Sequence, residues 1–201
     1  KFINEEFKNK ENLYGSAYDA DSEGIEGKYY VWSYEELKKL LKNDFTLFEK
    51  KYEISNTGNF EGKNILVETK NELSEEEQYK ITKIEDKLIQ ERKKRIKPFF
   101  DDKSQTDLNA FILETLISAS IILEDNNLKN EAIATLKILN HKLSNKIYHC
   151  YDSSEIDAFL EDYVYYAMLQ VTLYEVNCDE RSLEKAISIM KDIWEIFYNK
   201  D

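Results

Sequence analysis

One proline and five glycines among 201 residues leave few places where a helix is forced to stop. That scarcity excludes a turn-rich all-β architecture and a flexible low-complexity chain, and favours long helices with short links. Two cysteines, Cys150 and Cys178, stand far apart without a CxxC pair. They exclude a disulfide framework and a cysteine zinc site, and read as small semi-buried apolar residues in a reducing compartment. No apolar run approaches the 18 or so residues a membrane-spanning helix needs, and no signal peptide is present, so a cytoplasmic location is expected. Basic residues are the minority, 28 against 40 acids, for a net charge of −12. That balance argues against nucleic acid or an anionic membrane surface as partner.

What is there is enough for one sizeable core, and the length predicts a single domain. The chain opens on Lys1 rather than methionine, which predicts a piece of a longer polypeptide. The richest stretch is Asp19-Ala-Asp-Ser-Glu-Gly-Ile-Glu-Gly-Lys-Tyr-Tyr-Val-Trp32. Asp19, Asp21, Glu23 and Glu26 repel one another unless a cation or hydrogen-bond donor sits opposite, so Lys28 matters. Glycine among acids predicts a solvated loop, and Tyr29 to Trp32 predicts a short strand. Asp19, Asp21, Glu23 and Gly24 match the first half of an EF-hand loop. The twelfth position is Tyr30, however, and carries no carboxylate for calcium.

Ser33-Tyr-Glu-Glu36 and Ser74-Glu-Glu-Glu77 are capping boxes, each opening a run of apolar residues at helical spacing. Spacing and caps predict helices over 33–50, 74–96, 104–124, 127–146, 156–177 and 180–199, with β structure confined to 28–32 and 64–67. The basic cluster Arg92 to Arg95 falls in a last turn, where cations suit the helix dipole. From 101 onward, broad apolar faces (108–123, 159–173) alternate with the narrower stripe of 127–145. A broad face predicts burial on most sides and a narrow one an outer helix. The pattern predicts a mainly all-α fold, a partial toroid of antiparallel α-hairpins with short β segments in the loops.

Several stretches carry a family resemblance: the Asp19–Trp32 run, Gly58-Asn-Phe-Glu-Gly-Lys-Asn-Ile-Leu66, Arg92…Arg95-x-x-Pro98-x-x-Asp-Asp-Lys103, and Phe159-Leu-Glu-Asp-Tyr163. Together they resemble thioredoxin-domain-containing proteins of the YyaL and spermatogenesis-associated type, in family order along essentially the whole chain. The resemblance implies part of an (α/α)6 toroid similar to N-acylglucosamine 2-epimerases and six-hairpin glycosidases, with the family's N-terminal thioredoxin-like domain absent. Two departures stand out: Leu108 replaces the tryptophan of the family's Leu-Thr-Ser-Trp-Asn-Gly run, and Phe99 replaces a histidine common after the proline. Thr106 and Asn109 are kept.

A ring of this kind gathers the N-termini of its inner helices at one end. The expected cleft joins Asp101, Asp102, Lys103 and Asn109 to Glu161, Asp162 and Tyr163, with the Asp19, Asp21, Glu23 and Lys28 loop over the same mouth. His141 and His149 lie on an outer helix and just beyond it, and read as surface or packing residues. The expected function is a non-catalytic or degenerate carbohydrate-binding toroid domain that needs no cofactor or metal. The alternative is a carbohydrate-active enzyme, an epimerase or glycosidase type, working through the acidic loops. The expected partners are a carbohydrate, and either a thioredoxin-like domain or a second copy. The last two would cover apolar residues at the ends: Leu183, Ile187, Trp194 and Phe197 at one, Phe2 and Phe7 at the other.

Overall fold

The computed structural model describes residues 2–144, 146–150 and 156–198. It is mainly helical, with short antiparallel strands. The helices are α1 (Phe2–Glu6), α2 (Tyr34–Leu41), α3 (Phe45–Lys51), α4 (Glu75–Arg92), α5 (Thr106–Ile122), α6 (Asn126–Lys142), α7 (Leu160–Asn177) and α8 (Glu180–Phe197). No helix among the described residues is long and apolar enough to cross a membrane. The chain forms two compact units, Tyr18–Phe99 on one hand and Lys1–Ala17 with Phe100–Asp201 on the other.

In the Tyr18–Phe99 unit both expected capping boxes are made. The Glu36 amide donates to Ser33 Oγ at 3.2 Å, and the Ser74 amide donates to Glu77 Oε2 at 2.8 Å. Leu37, Leu41, Phe45, Phe48, Ile81, Ile84 and Leu88 close a core around Trp32. The helix expected over 33–50 is broken, because Lys42 takes φ 51° and a 3₁₀ turn fills Lys42–Asp44. Asn43 and Asp44 are weak helix formers, and residues 37, 41, 45 and 48 share a face whether or not the axis bends. Spacing alone therefore cannot report the break.

The strand expected at 28–32 is a turn, in which the Tyr30 and Val31 amides both donate to Gly27 O, at 2.8 and 3.1 Å. Trp32 still pairs with Asn64, as an isolated bridge. Of the strand expected at 64–67, Asn64 makes that bridge and Val67 pairs with Glu53 in a two-residue ladder that ends at Glu68. The other loop is shaped by Gly58, whose φ is +72° and where a Cβ would sit 2.2 Å from the Lys63 carbonyl oxygen. No other residue fits there.

In the second unit α5 packs on α6 and α7, and α7 packs on α8. The Asp107 amide donates to Asp162 at 3.0 Å, joining the first turns of α5 and α7. Further along, Phe111 meets Tyr165 edge-on and Thr172 reaches Glu114, so the two helices run parallel. Tyr166 donates to Asn140 near the end of α6, and Phe197 at the end of α8 meets Tyr163 near the start of α7. Hence α6 and α8 return antiparallel, as two hairpins with α5 and α7 side by side.

The narrow stripe on α6 is buried as expected, through Ala132, Leu136, Leu139 and Leu143. The broad faces are not buried all round. Ala110, Leu113 and Ile117 line the core from α5, while Phe111 is 50% exposed and Ile122 80%. On α7, Val164, Met168 and Val171 are likewise exposed. The helix expected from 156 begins at Leu160, since Ile156–Asp157 pairs with Tyr148–Cys150. Neither cysteine is in a disulfide; Cys150 is buried and Cys178 exposed.

Candidate functional site

The acidic loop belongs to the Tyr18–Phe99 unit. Glu23 and Gly24 both take positive φ, 54° and 73°, and turn a tight hairpin between Asp21–Ser22 and Ile25–Glu26. Asp19 Oδ1 accepts the Asp21 amide at 3.2 Å, and Glu23 pairs with Lys28 at 2.8 Å in the open. Exposed pairs of this kind stabilise little. The organiser is a residue outside the loop. The Arg95 guanidinium donates to the carbonyls of Tyr29 and Val31 at 2.9 and 2.8 Å and to Glu36 at 2.9 Å. It also lies 3.9 Å from the Trp32 ring. A planar fork that stacks on indole while meeting several acceptors is work only arginine can do. It explains why Tyr29–Val31 curls instead of extending, since its carbonyls converge on one cation. A cleft of about 560 Å³ opens beside it, with Ile25, Val31, Phe60 and Ile96 among its walls and charges of both signs at its rim.

In the second unit the expected residues separate by role. Asp101 pairs with Lys103 at 3.0 Å, and Asp102 offers its carbonyl to Asn9 at 2.9 Å. Asn109 is fully buried and strapped to the N-terminal segment. Its Oδ1 accepts the Tyr14 amide at 2.8 Å, and its Nδ2 donates to the carbonyls of Tyr14 at 2.9 Å and Gln105 at 2.8 Å. Every polar atom of that side chain is used for fastening, so Asn109 faces no cleft. Tyr163 is buried, and Glu161 lies open on the first turn of α7.

Asp162 is the exception. It is wholly buried at the third position of α7, where the Phe159 amide donates to Oδ2 at 2.8 Å and the Asp107 amide to Oδ1 at 3.0 Å. His149 Nδ1 lies 3.1 and 3.0 Å from the two oxygens. Burial pushes the Asp162 carboxyl above the usual aspartate range, outweighing the amide and imidazole donors that pull it down. Because a carboxylate only accepts, His149 presents Nδ1–H to it and keeps Nε2 as the acceptor. The Gln105 amide nitrogen sits 3.2 Å from Nε2. Phe159, 54% exposed, packs its ring edge-on to the imidazole at 4.8 Å.

His149, expected as a surface or packing residue, packs on Phe159 and pairs with Asp162 of the Phe159–Tyr163 stretch. Neither His149, Gln105 nor Asp107 is announced by spacing. The one hint is that Asp162 falls three residues after Phe159, an N-capping position whose aromatic side chain offers no acceptor. The ligand atoms of Asp107, His149 and Asp162 lie within 4.8 Å of one another, and this is the one such group among the described residues. Both Asp162 oxygens already serve amides and the imidazole, so the cluster as it stands is a hydrogen-bonded one. A cation there would have to displace the His149 proton. Asp19, Asp21 and Glu23 do not gather as a calcium loop, since Asp21 sits in the hairpin strand.

No family model matches the chain, and no curated protein does.

Proposed function

We propose that the chain is a carbohydrate-binding, non-catalytic part of an α-hairpin toroid of the YyaL and spermatogenesis-associated type. In this reading the α5–α6 and α7–α8 hairpins are two sectors of the ring. The ligand is a small polyhydroxylated molecule held where the first turns of α5 and α7 meet. The observation that carries the reading is the exposed Phe159 ring beside an imidazole held between buried Asp162 and the Gln105 amide. A sugar offers one apolar face and a fringe of hydroxyls. Phe159 would take the face, while the Gln105 side chain, one of whose N–H groups is given to His149 Nε2, would offer its second N–H and its carbonyl to hydroxyls.

Titrating the labelled protein with mono- and disaccharides while following amide and imidazole NMR signals tests it. Saturable shifts confined to Phe159, His149 and Gln105, lost in Phe159→Ala, are expected. Their absence from a folded protein at millimolar sugar would overturn the reading.

A second reading rests on the Asp162–His149 pair itself. A buried carboxylate holding an imidazole in one tautomer is also how a general base is prepared. An epimerase of this class would wash deuterium from heavy water into a sugar carbon, and His149→Ala would abolish the exchange. The binding reading expects saturable shifts with no exchange.

A further inference from the structure

The α8 helix carries two apolar seams and one partner. Ala186, Ile189 and Ile193 pack toward α7 and its core. A second seam, Leu183, Ile187, Met190, Trp194 and Phe197, repeats at spacings of 4, 3, 4 and 3 residues, the heptad spacing of a coiled-coil contact. In it Ile187 is 48% exposed, Met190 56% and Trp194 61%, so its middle lies open, while Leu183 is half-buried, Trp194 stacks on Tyr198 and Phe197 meets Tyr163 of α7. Between this seam and Val171 of α7 runs a groove of about 510 Å³, bordered by Lys191 and Glu195. A helix surface with heptad knobs beside a groove is shaped for another helix.

We infer that α8 is a self-association helix, paired antiparallel with the α8 of a second copy about a two-fold axis. This goes beyond the carbohydrate reading and stands on different residues. The rim charges choose the occupant. Glu184 and Lys191 follow Leu183 and Met190 directly, so both lie on the same edge of the seam, one heptad apart. A parallel pair would set Glu184 of each copy near Asp179 of the other and Lys191 beside Ala186, a repulsion and an unpaired cation. The antiparallel pair sets Glu184 of each copy near Lys191 of the other. The same register brings Ile187 opposite Met190 and Leu183 opposite Trp194. An isologous contact of this kind closes on itself and leaves no free edge to propagate.

Sedimentation velocity over a concentration series, with tryptophan emission as second readout, tests the inference. The chain is expected to pass from monomer to dimer with a blue shift, because exposed Trp194 becomes covered. Met190→Lys, at an exposed position, should leave the circular dichroism spectrum unchanged and remove the dimer. Glu184→Lys and Lys191→Glu should each weaken association at least tenfold at low salt, and the double exchange should restore it. A wild-type chain that stays monomeric at high micromolar concentration overturns the inference. A dimer untouched by Met190→Lys overturns the seam as its interface. A dimer weakened by the double exchange as much as by either single one overturns the antiparallel pairing. Capture of an unrelated amphipathic helical peptide by a chain that does not self-associate overturns the second copy as occupant.

Discussion

Asp162 shows how one buried carboxylate can be a fastener and a positioning group together. Two of its donors are backbone amides at the starts of α7 and α5, so the side chain ties two helix N-termini before it touches His149. In Asp162→Asn one of those amides or the imidazole meets an NH₂ group instead of an oxygen. We expect a loss of about 1–3 kcal/mol in chemical denaturation, the usual cost of a buried donor left unpaired. The pH dependence carries a sign. Burial raises the folded-state carboxyl above its ordinary value, so the folded chain holds this proton to a higher pH than the unfolded chain does. That contribution is full below the ordinary aspartate value, about 3.9, and is lost as pH rises through the folded value. Asn does not titrate. The gap in thermal midpoint between wild type and variant should narrow as pH rises above the ordinary aspartate value, about 3.9. A gap that widens over this range would mean that the three donors, not burial, decide the carboxyl's affinity for its proton.

At the scale of elements, Arg95 does for the acidic loop what a strand ladder would otherwise do. Its contacts can be ranked by substitution. Arg95→Ala strands the Tyr29 and Val31 carbonyls in a half-buried place and removes the stack on Trp32. A loss of about 3 kcal/mol is expected in urea unfolding. Arg95→Lys should recover less than half, since an ammonium cannot fork between carbonyls while lying flat on indole. Glu36→Gln keeps the acceptor of the capping box and deletes the half-exposed ion pair, so its cost should stay below about 1 kcal/mol. An equal loss for Glu36→Gln and Arg95→Ala would make the ion pair, not the carbonyls, the source of order. This ranking also explains what was legible beforehand. Helix existence, both capping boxes and the buried stripe of α6 follow from side-chain periodicity, which is local. The turn at 27–31, the break at Lys42 and the His149–Asp162 pair depend on groups far off in sequence or on an axis bend that preserves periodicity. Tyr29 to Trp32 reads as a strand by propensity, and Arg95 overrides it from 64 residues away by taking the Val31 carbonyl. The Arg92–Arg95 cluster reads as dipole compensation until Arg95 is seen over Trp32. Asn109, expected at the cleft, is a strap that fastens Tyr14 and Gln105.

At the scale of the whole molecule, composition and length predict one core, while the buried residues among those described form two clusters. Trp32, Leu37, Phe48, Ile81 and Leu88 belong to one cluster, and Leu13, Leu113, Leu139, Leu169 and Ile189 to the other. The first lies within a continuous stretch, Tyr18–Phe99, whose order is fixed from inside by two capping boxes, the Trp32–Asn64 bridge and Arg95. The second draws on two separate stretches, with Asn109 strapping Leu13–Tyr14 to α5. A continuous unit with its own core and its own polar fastenings has what autonomous folding requires, though a unit this small has little stability to spare. We therefore expect residues 18–99, expressed alone, to give a helical circular dichroism spectrum and a single cooperative urea transition. Within that fragment Arg95→Ala should lower the midpoint without changing the slope, because it removes stability and not surface. Asp162→Asn in the full chain should leave any transition assigned to this unit where it was. A fragment that unfolds without cooperativity, or that binds an apolar dye when native, would show that the Trp32 core is stable only when the remainder of the chain is present.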